Sequence, residues 1–377
     1  MIPLCVVLLS GGLPDNAAET ASEALKNRGF EVFAERALAG LARGLAPEAF
    51  HSGGRVLIAF NALMSESSPR RGKAFAEVEV EKAVHLLATA LANAPDHLRV
   101  AEDARLAEIL ARDLLSPEEF ERLEALIGER RAEMSCDLPV LADLSRFKYR
   151  AKVELVEWNG QKAVKKTFRR TAMDAMEREL AFCDDIAPRS GVPPRILDRT
   201  ENAIVFECID NTLKIRRLLG FRLPIPLPLS KVRKMADFVR LAVARGWDPI
   251  DLTPRDNILI DGSTGALRAI DFEFAHRRET PVRAEESFFL SGVPEAATVA
   301  RPLNQAMSED PYPSKWRPFT GLSKHSFLHN PAWMQMIERV LVHPIWLTVR
   351  SAGAILRRRR HAAARDDLLD AVVLRYR

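Results

Sequence analysis

The sequence offers little that would place it among disulfide-stapled, metal-built or membrane-spanning proteins. Its four cysteines, Cys5, Cys136, Cys183 and Cys208, are scattered through 377 residues without CxxC spacing. Neither a disulfide framework nor a zinc site is expected, and a reducing, cytoplasmic setting fits. The histidines show no metal-ligand spacing with cysteines or carboxylates, and GxSxG and HExxH patterns are absent, so nucleophilic hydrolase and metalloprotease readings get no support. A formal net charge of +4 gives no whole-molecule basic field, and no nucleic-acid partner is expected. Residues Met1 to Ser10 are apolar but too short for a signal peptide and lack a basic n-region, so they read as a buried first strand.

What is present is an ordinary globular balance, 47% hydrophobic and 28% charged, over a length that suits two or three folding units. Strand, helix and strand follow one another at Pro3 to Leu9, Ala17 to Asn27 and Phe30 to Phe33. The strand Arg55 to Phe60 and a helix around Phe75 to Asn93 continue the alternation, which predicts a three-layer α/β domain with a parallel sheet over residues 1–135. Ser116-Pro117-Glu118-Glu119 is a helix start, with an N-cap, proline at the first helical position and acids in the first turn. After a linker at Ser135 to Pro139 the pattern turns to strands. Tyr149 to Trp158 and Gln161 to Phe168 form a hairpin about Asn159-Gly160. A helix at Ala172 to Asp185, a strand at Ala203 to Ile209 and a helix at Lys231 to Arg245 come next.

Transferring a phosphoryl group from ATP takes a cation on the phosphates, oxygen ligands for Mg2+ and a carboxylate beside the incoming hydroxyl. Ala163 and Lys165, two apart on the returning strand, face one side, where a small side chain admits adenine and the ammonium reaches phosphate. Ala163-Val164-Lys165 is similar to the strand-three lysine motif of the protein-kinase-like superfamily. Glu179 resembles the glutamate that pairs with that lysine, and is preferred to Glu177 for the apolar Leu180 and Phe182 that follow. The segment from Ala203 through Glu207 to Ile209 resembles the strand leading into the hinge that hydrogen-bonds adenine. Asp251-Leu252-Thr253-Pro254-Arg255-Asp256-Asn257, followed by Ala269-Ile270-Asp271-Phe272-Glu273, resembles the catalytic loop and the metal-binding Asp-Phe-Gly.

The resemblance implies an α+β bilobal domain over residues 136–300, with an N-lobe at about 140–210 and a C-lobe from 211, followed by a helical extension at 301–377. It also implies ATP and Mg2+ as cofactors. Asp251 would orient the substrate hydroxyl, Asp271 and either Asn257 or Asp256 would hold metal, and Ala163, Lys165, Glu179, Glu207 and Ile209 would contact the nucleotide. With Glu273 in place of the motif's glycine, the set is closest to small-molecule and lipopolysaccharide-type kinases, and a sugar, glycolipid or other small hydroxyl acceptor is implied.

Three departures accompany the likeness. Pro249 stands at the catalytic-loop histidine position, and Asp251 and Asn257 are six apart where the family spaces them five apart. No glycine lies between Leu138 and Trp158, where Arg146, Lys148, Arg150 and Lys152 stand instead. A pseudokinase serving as a nucleotide-binding scaffold is the alternative reading. The N-terminal part is also weakly similar to Toll/interleukin-receptor-like domains, some of which hydrolyse NAD with a glutamate on the helix where Glu77 stands, although Glu77, Glu79 and Glu81 equally suit a solvated face. Finally, residues 331–360 join apolar helical sequence with Trp333 and Trp346 to the run Arg357 to Arg360; an ordinary packed helix is the default reading, and peripheral contact with the inner face of a membrane is the alternative that the composition also suits.

Overall fold

A computed structural model describes residues 4–38, 50, 53–63, 87, 91, 95–101, 104–145, 148–210, 226–280, 282–294, 297–300, 310–350 and 373–374. The chain forms two compact units, one of residues 1–137, 145–152 and 356–377, the other of 138–144 and 153–355.

The first unit is built on β1 (Leu4–Leu9), β2 (Glu31–Ala37), β3 (Arg55–Phe60) and β4 (Leu98–Ala101), with a two-residue strand, Val373–Leu374, on its edge. β1 is apolar on both faces, and all six residues are buried, because each face is covered by helix. Cys5, Val7 and Leu9 pack on the helix Ala17–Lys26 through Ala18, Ala21 and Leu25. Leu4, Val6 and Leu8 pack on the helices Ala104–Leu114 and Pro117–Glu133 through Leu106, Leu110 and Leu123. Helices thus cover both faces of one sheet, in three layers. Burial holds the Cys5 thiol protonated by pushing its pKa up to about 12, as for an inert core cysteine.

The sheet is not the parallel one that the strand-helix-strand alternation predicts. β3 pairs antiparallel with both β1 and β2, and β4 pairs antiparallel with β1. The crossover from β1 to β2 does return the chain in the same direction, but it skips a position, and β3 fills the gap running the opposite way. Among the described residues, only the edge pair formed by Val373–Leu374 and β4 is parallel. Local periodicity identifies strands without fixing which strand becomes the neighbour of which.

Ser10-Gly11-Gly12 makes the turn after β1. There the Ser10 hydroxyl meets His97 Nδ1 at 2.6 Å, and a Cβ at Gly12 would sit 3.0 Å from the His97 ring, so a larger residue there would press the ring aside. Ser116 accepts a hydrogen bond from the Glu119 N–H, as the predicted N-cap does, and the structure adds the reciprocal bond in which Glu119 accepts from the Ser116 N–H. Glu77, Glu79 and Glu81, and all but Leu87 and Leu91 of the helix expected at 75–93, lie outside the described residues.

The second unit carries a five-stranded sheet of β5 (Val140–Asp143), β6 (Ala151–Trp158, its first two residues counted with the first unit), β7 (Gln161–Phe168), β8 (Ile196–Arg199) and β9 (Ala203–Glu207), in the order β5-β6-β7-β9-β8. The β6–β7 turn falls at Asn159-Gly160, both with positive φ, as the hairpin signal requires. The helix Met173–Ser190 leaves this sheet and ends at Gly191 in the left-handed region.

Beyond the sheet, the helix Leu229–Ala244 precedes two short ladders. β10 (Trp247–Pro249) pairs with β13 (Ala275–Arg277), and β11 (Ile258–Ile260) pairs with β12 (Leu267–Ala269). Residues 310–350 are helical segments within the same unit. Among the described residues no helix is long and apolar enough to cross a membrane.

Candidate active site

The geometry is set by the two ladders. The β11–β12 ladder ends with the Ile270 N–H bonded to the Asn257 carbonyl at 2.9 Å, which places Asp271 next beyond Asn257. The β10–β13 ladder ends with the Ile250 N–H bonded to the Phe274 carbonyl at 3.3 Å, which places Asp251 alongside residues 273 and 274. The loop 251–257 is therefore pinned at both ends against the segment 270–274, and Asp251, Asn257 and Asp271 are brought to one region. Asp271 has a φ of 69°, a left-handed backbone that costs a non-glycine residue about 1 kcal/mol or more. Such strain persists only where the surroundings hold it.

Those surroundings include a lysine, and the one that reaches Asp271 is Lys166, while Lys165 is buried as well. Lys166 Nζ lies 2.7 Å from Glu179 Oε2, 2.7 Å from Asp271 Oδ1 and 3.4 Å from Glu273 Oε2. The β7–β9 register runs without a bulge from Ala163 opposite Glu207 to Thr167 opposite Ala203, so successive side chains alternate faces. Lys165 therefore shares a face with Ala163, while Lys166 shares one with Val164 and stands over the Phe168 ring. The motif is shifted by one residue from the expected Ala163/Lys165 pair, and Val164 is the residue on the lysine's side.

Glu179, and not the exposed Glu177, meets this lysine from the helix Met173–Ser190. Its second oxygen accepts from the Phe272 N–H at 3.2 Å, so one carboxylate ties the sheet's lysine to the segment carrying Asp271. Phe272 is anchored too, its ring stacked on Phe182 with centroids 4.2 Å apart. The Glu273 carbonyl accepts from Arg178 Nε at 2.8 Å. Sequence reading treated Glu273 only as a replaced glycine, and the structure adds its carboxylate to the lysine's partners.

Three carboxylates around one ammonium leave an excess of negative charge. Burial disfavours the Lys166 cation, but the charges of Asp271, Glu179 and Glu273 outweigh it and hold the ammonium well above its usual range. Burial, with the charges of Asp271 and Glu273 adding to it, pushes Glu179 up to about 7 against the pull of Lys166. Of the three acids Asp271 is the most accessible, with 37% of its side chain exposed. Among the described residues no group of three or more His, Cys, Asp or Glu is arranged to hold a metal by itself.

The remaining expected residues divide. Asn257 is buried, and its carboxamide oxygen accepts from both the N–H and the hydroxyl of Thr253, each at 3.2 Å; as a metal ligand it would have to give up at least one of them. Asp256 is exposed on the same loop. Glu207 ends β9, where its carboxylate accepts from the Arg195 N–H and pairs with Arg268, and its own N–H donates to the Arg195 carbonyl. Ile209 follows in irregular chain that is described only to residue 210. Lys148, Arg150 and Lys152 belong to the first unit, and Arg146 lies outside the described residues.

Asp248, beside the loop, is fully buried and accepts from Arg278 and from the N–H groups of Phe288 and Phe289. Burial raises its pKa against those donors. This anchor went unremarked in the sequence, although an acid between Trp247 and Pro249 is its signal. No family model matches the chain, and no curated protein matches its sequence.

Proposed function

We propose that the second unit is an ATP- and Mg2+-dependent phosphotransferase of protein-kinase-like fold, acting on a hydroxyl of a small molecule, sugar or glycolipid. The observation that carries this reading is the joining of Lys166, Glu179 and Asp271 in one cluster beside the loop of Asp251 and Asn257. Its donor set suits Mg2+, which takes one or two carboxylates and completes its shell with phosphate oxygens and water. Mg2+ would supply charge neutralisation on the transferring phosphoryl group.

The protein's own part is positioning and charge. Lys166 has three N–H protons and three carboxylate partners, so to donate to a phosphate it must exchange one of them. Asp271, the most exposed, is the partner that would exchange and would help hold the metal, leaving the ammonium a proton to donate. Glu179 then keeps Lys166 and the Phe272 backbone in place. Asp251 stands as the carboxylate that orients the acceptor hydroxyl.

The test is Asp271→Asn in the full chain, an isosteric change at an accessible side chain. Magnesium-dependent ATP consumption is expected to fall by roughly a thousandfold or more with the thermal midpoint within a few degrees of wild type. Consumption at the wild-type rate rejects the assignment.

A second reading, a nucleotide-binding scaffold, is favoured by the Asn257 oxygen being taken up by Thr253. Thermal-shift titration separates the two. Stabilisation by ATP with magnesium, accompanied by phosphate transfer, supports the enzyme, while stabilisation without transfer supports the scaffold.

A further inference from the structure

Residues 332–350 run as one helical rod, α-helical over Ala332–Ile337, widened to π over Glu338–Val342 and α-helical again over 343–350. Pro344 explains the widening, since it has no N–H to give the preceding turn. A row spaced by four residues follows the rod, and every member is exposed: Trp333 at 64%, Ile337 at 50%, Leu341 at 62%, Ile345 at 69% and Val349 at 70%. Met336 and Val340 broaden it. Isolated exposed apolar residues are ordinary, but a continuous ridge of this length marks a surface that meets something apolar.

Charge along the rod says what that is. The rod itself, residues 332–350, carries Arg339 and Arg350 against the single acid Glu338. Glu338 is turned away into hydrogen bonds with the Ser323 N–H and hydroxyl. Arg339 holds its place beside the ridge by donating to the Leu227 carbonyl. Arg317 and Arg350 both stand over the Trp346 ring. Apolar side chains flanked by arginine and tryptophan, with almost no acid, match a bilayer whose surface is anionic and whose interior is hydrocarbon.

We infer that the ridge Trp333–Ile337–Leu341–Ile345–Val349 is a docking face for an anionic lipid bilayer, lying in the plane of the surface rather than crossing it. The face brings the second unit to a membrane whatever that unit's chemistry, so the inference stands or falls apart from phosphoryl transfer.

Flotation of the full chain, without nucleotide, tests it on phosphatidylcholine vesicles with and without phosphatidylglycerol. Binding is expected only with phosphatidylglycerol and is expected to weaken with added salt. Leu341→Glu with Ile345→Glu removes two insertions and adds two repelled charges at positions that carry no core packing. A loss of about a hundredfold or more in lipid affinity is expected, with the thermal midpoint retained. Ile109→Glu with Leu141→Glu, the same charge change at exposed sites elsewhere, is expected to bind as wild type. The inference is overturned if the wild-type chain floats with neither vesicle, or if L341E/I345E floats as well as wild type. It is equally overturned if the chain ignores lipid and forms a concentration-dependent dimer that L341E/I345E disperses, since the ridge would then meet a second copy.

Discussion

Strands β1 and β7 each lie in a five-stranded sheet, and they differ in what they bury. β1 places six apolar residues between two layers of helix. β7 buries Lys165 and Lys166 in the middle of its length. Apolar burial on both faces stabilises a sheet directly, through area removed from water. A buried lysine costs desolvation energy, which the surrounding carboxylates must offset, and the net gain in stability is small or negative. Retaining such a lysine therefore points to chemistry, whereas β1 is explained by packing alone.

The largest effect that would break this contrast is on Lys166. Lys166→Met leaves Glu179, Asp271 and Glu273 around a neutral side chain, and a loss of about 3–5 kcal/mol is expected because uncompensated buried charge remains. Leu8→Ala in β1, with a cavity as its cause, is expected to cost a similar ~2–5 kcal/mol. The double variant Lys166→Met with Glu179→Met separates the causes: removing both charges is expected to recover part of the stability and none of the proposed turnover. Urea midpoints measure the first and ATP consumption the second. If the double variant is no more stable than Lys166→Met, buried charge is not what the single substitution exposes.

How far the sequence discloses these features depends on the range of the forces involved. The Asn159-Gly160 hairpin and the Ser116 cap are local, decided by the φ values and hydrogen bonds of a few residues, and they are legible. The antiparallel order of the first sheet is not, because β3 is inserted between β1 and β2 by packing rather than by its own pattern. The site lies between these cases. The order Lys, Glu, Asp-x-x-x-x-x-Asn, Asp is readable, but adjacent lysines at 165 and 166 make the register ambiguous, and a slip of one residue moves a side chain to the other face. The signal that favours Lys166 is its parity with Phe168, whose ring it overlies. Glu273 and Asp248 act through contacts with residues far away in sequence, so their roles become visible only with the fold.

A smaller effect sharpens the contrast through pH. Glu179 has its folded pKa raised to about 7, above the unfolded value of about 4.3. Between these values the folded state binds more protons than the unfolded one, so this group's contribution is fully present below about pH 4.3 and is lost as pH rises through 7. Relative to Glu179→Gln, which does not titrate, the wild type is expected to lose stability between pH 5 and 7.5. Glu177→Gln, at an exposed position on the same helix, is expected to track the wild type within about 0.5 kcal/mol at every pH. Denaturant midpoints at the two pH values test this, and parallel curves for wild type and Glu179→Gln would show that Glu179 is ionised throughout. Buffers of differing ionisation enthalpy extend the test: if Mg·ATP binds as proposed and draws Asp271 away from Lys166, a proton is expected to leave Glu179 near pH 7.

The smallest effect returns to the first unit and asks how much its polar contacts matter beside its apolar core. Ser116 and Glu119 cap the helix Pro117–Glu133 reciprocally, and that helix closes one face of the sheet through Phe120, Leu123 and Ile127. Ser116→Ala removes one acceptor at an exposed helix end, where water can replace it. A loss of about 1 kcal/mol is expected, below that of Leu8→Ala, because the buried face of the helix is untouched. A urea titration of both variants reads the two losses on one scale. A Ser116→Ala loss equal to that of Leu8→Ala would mean that the seating of this helix depends on its cap as much as on its apolar face, and the contrast between packing and polar contacts would no longer describe the first unit.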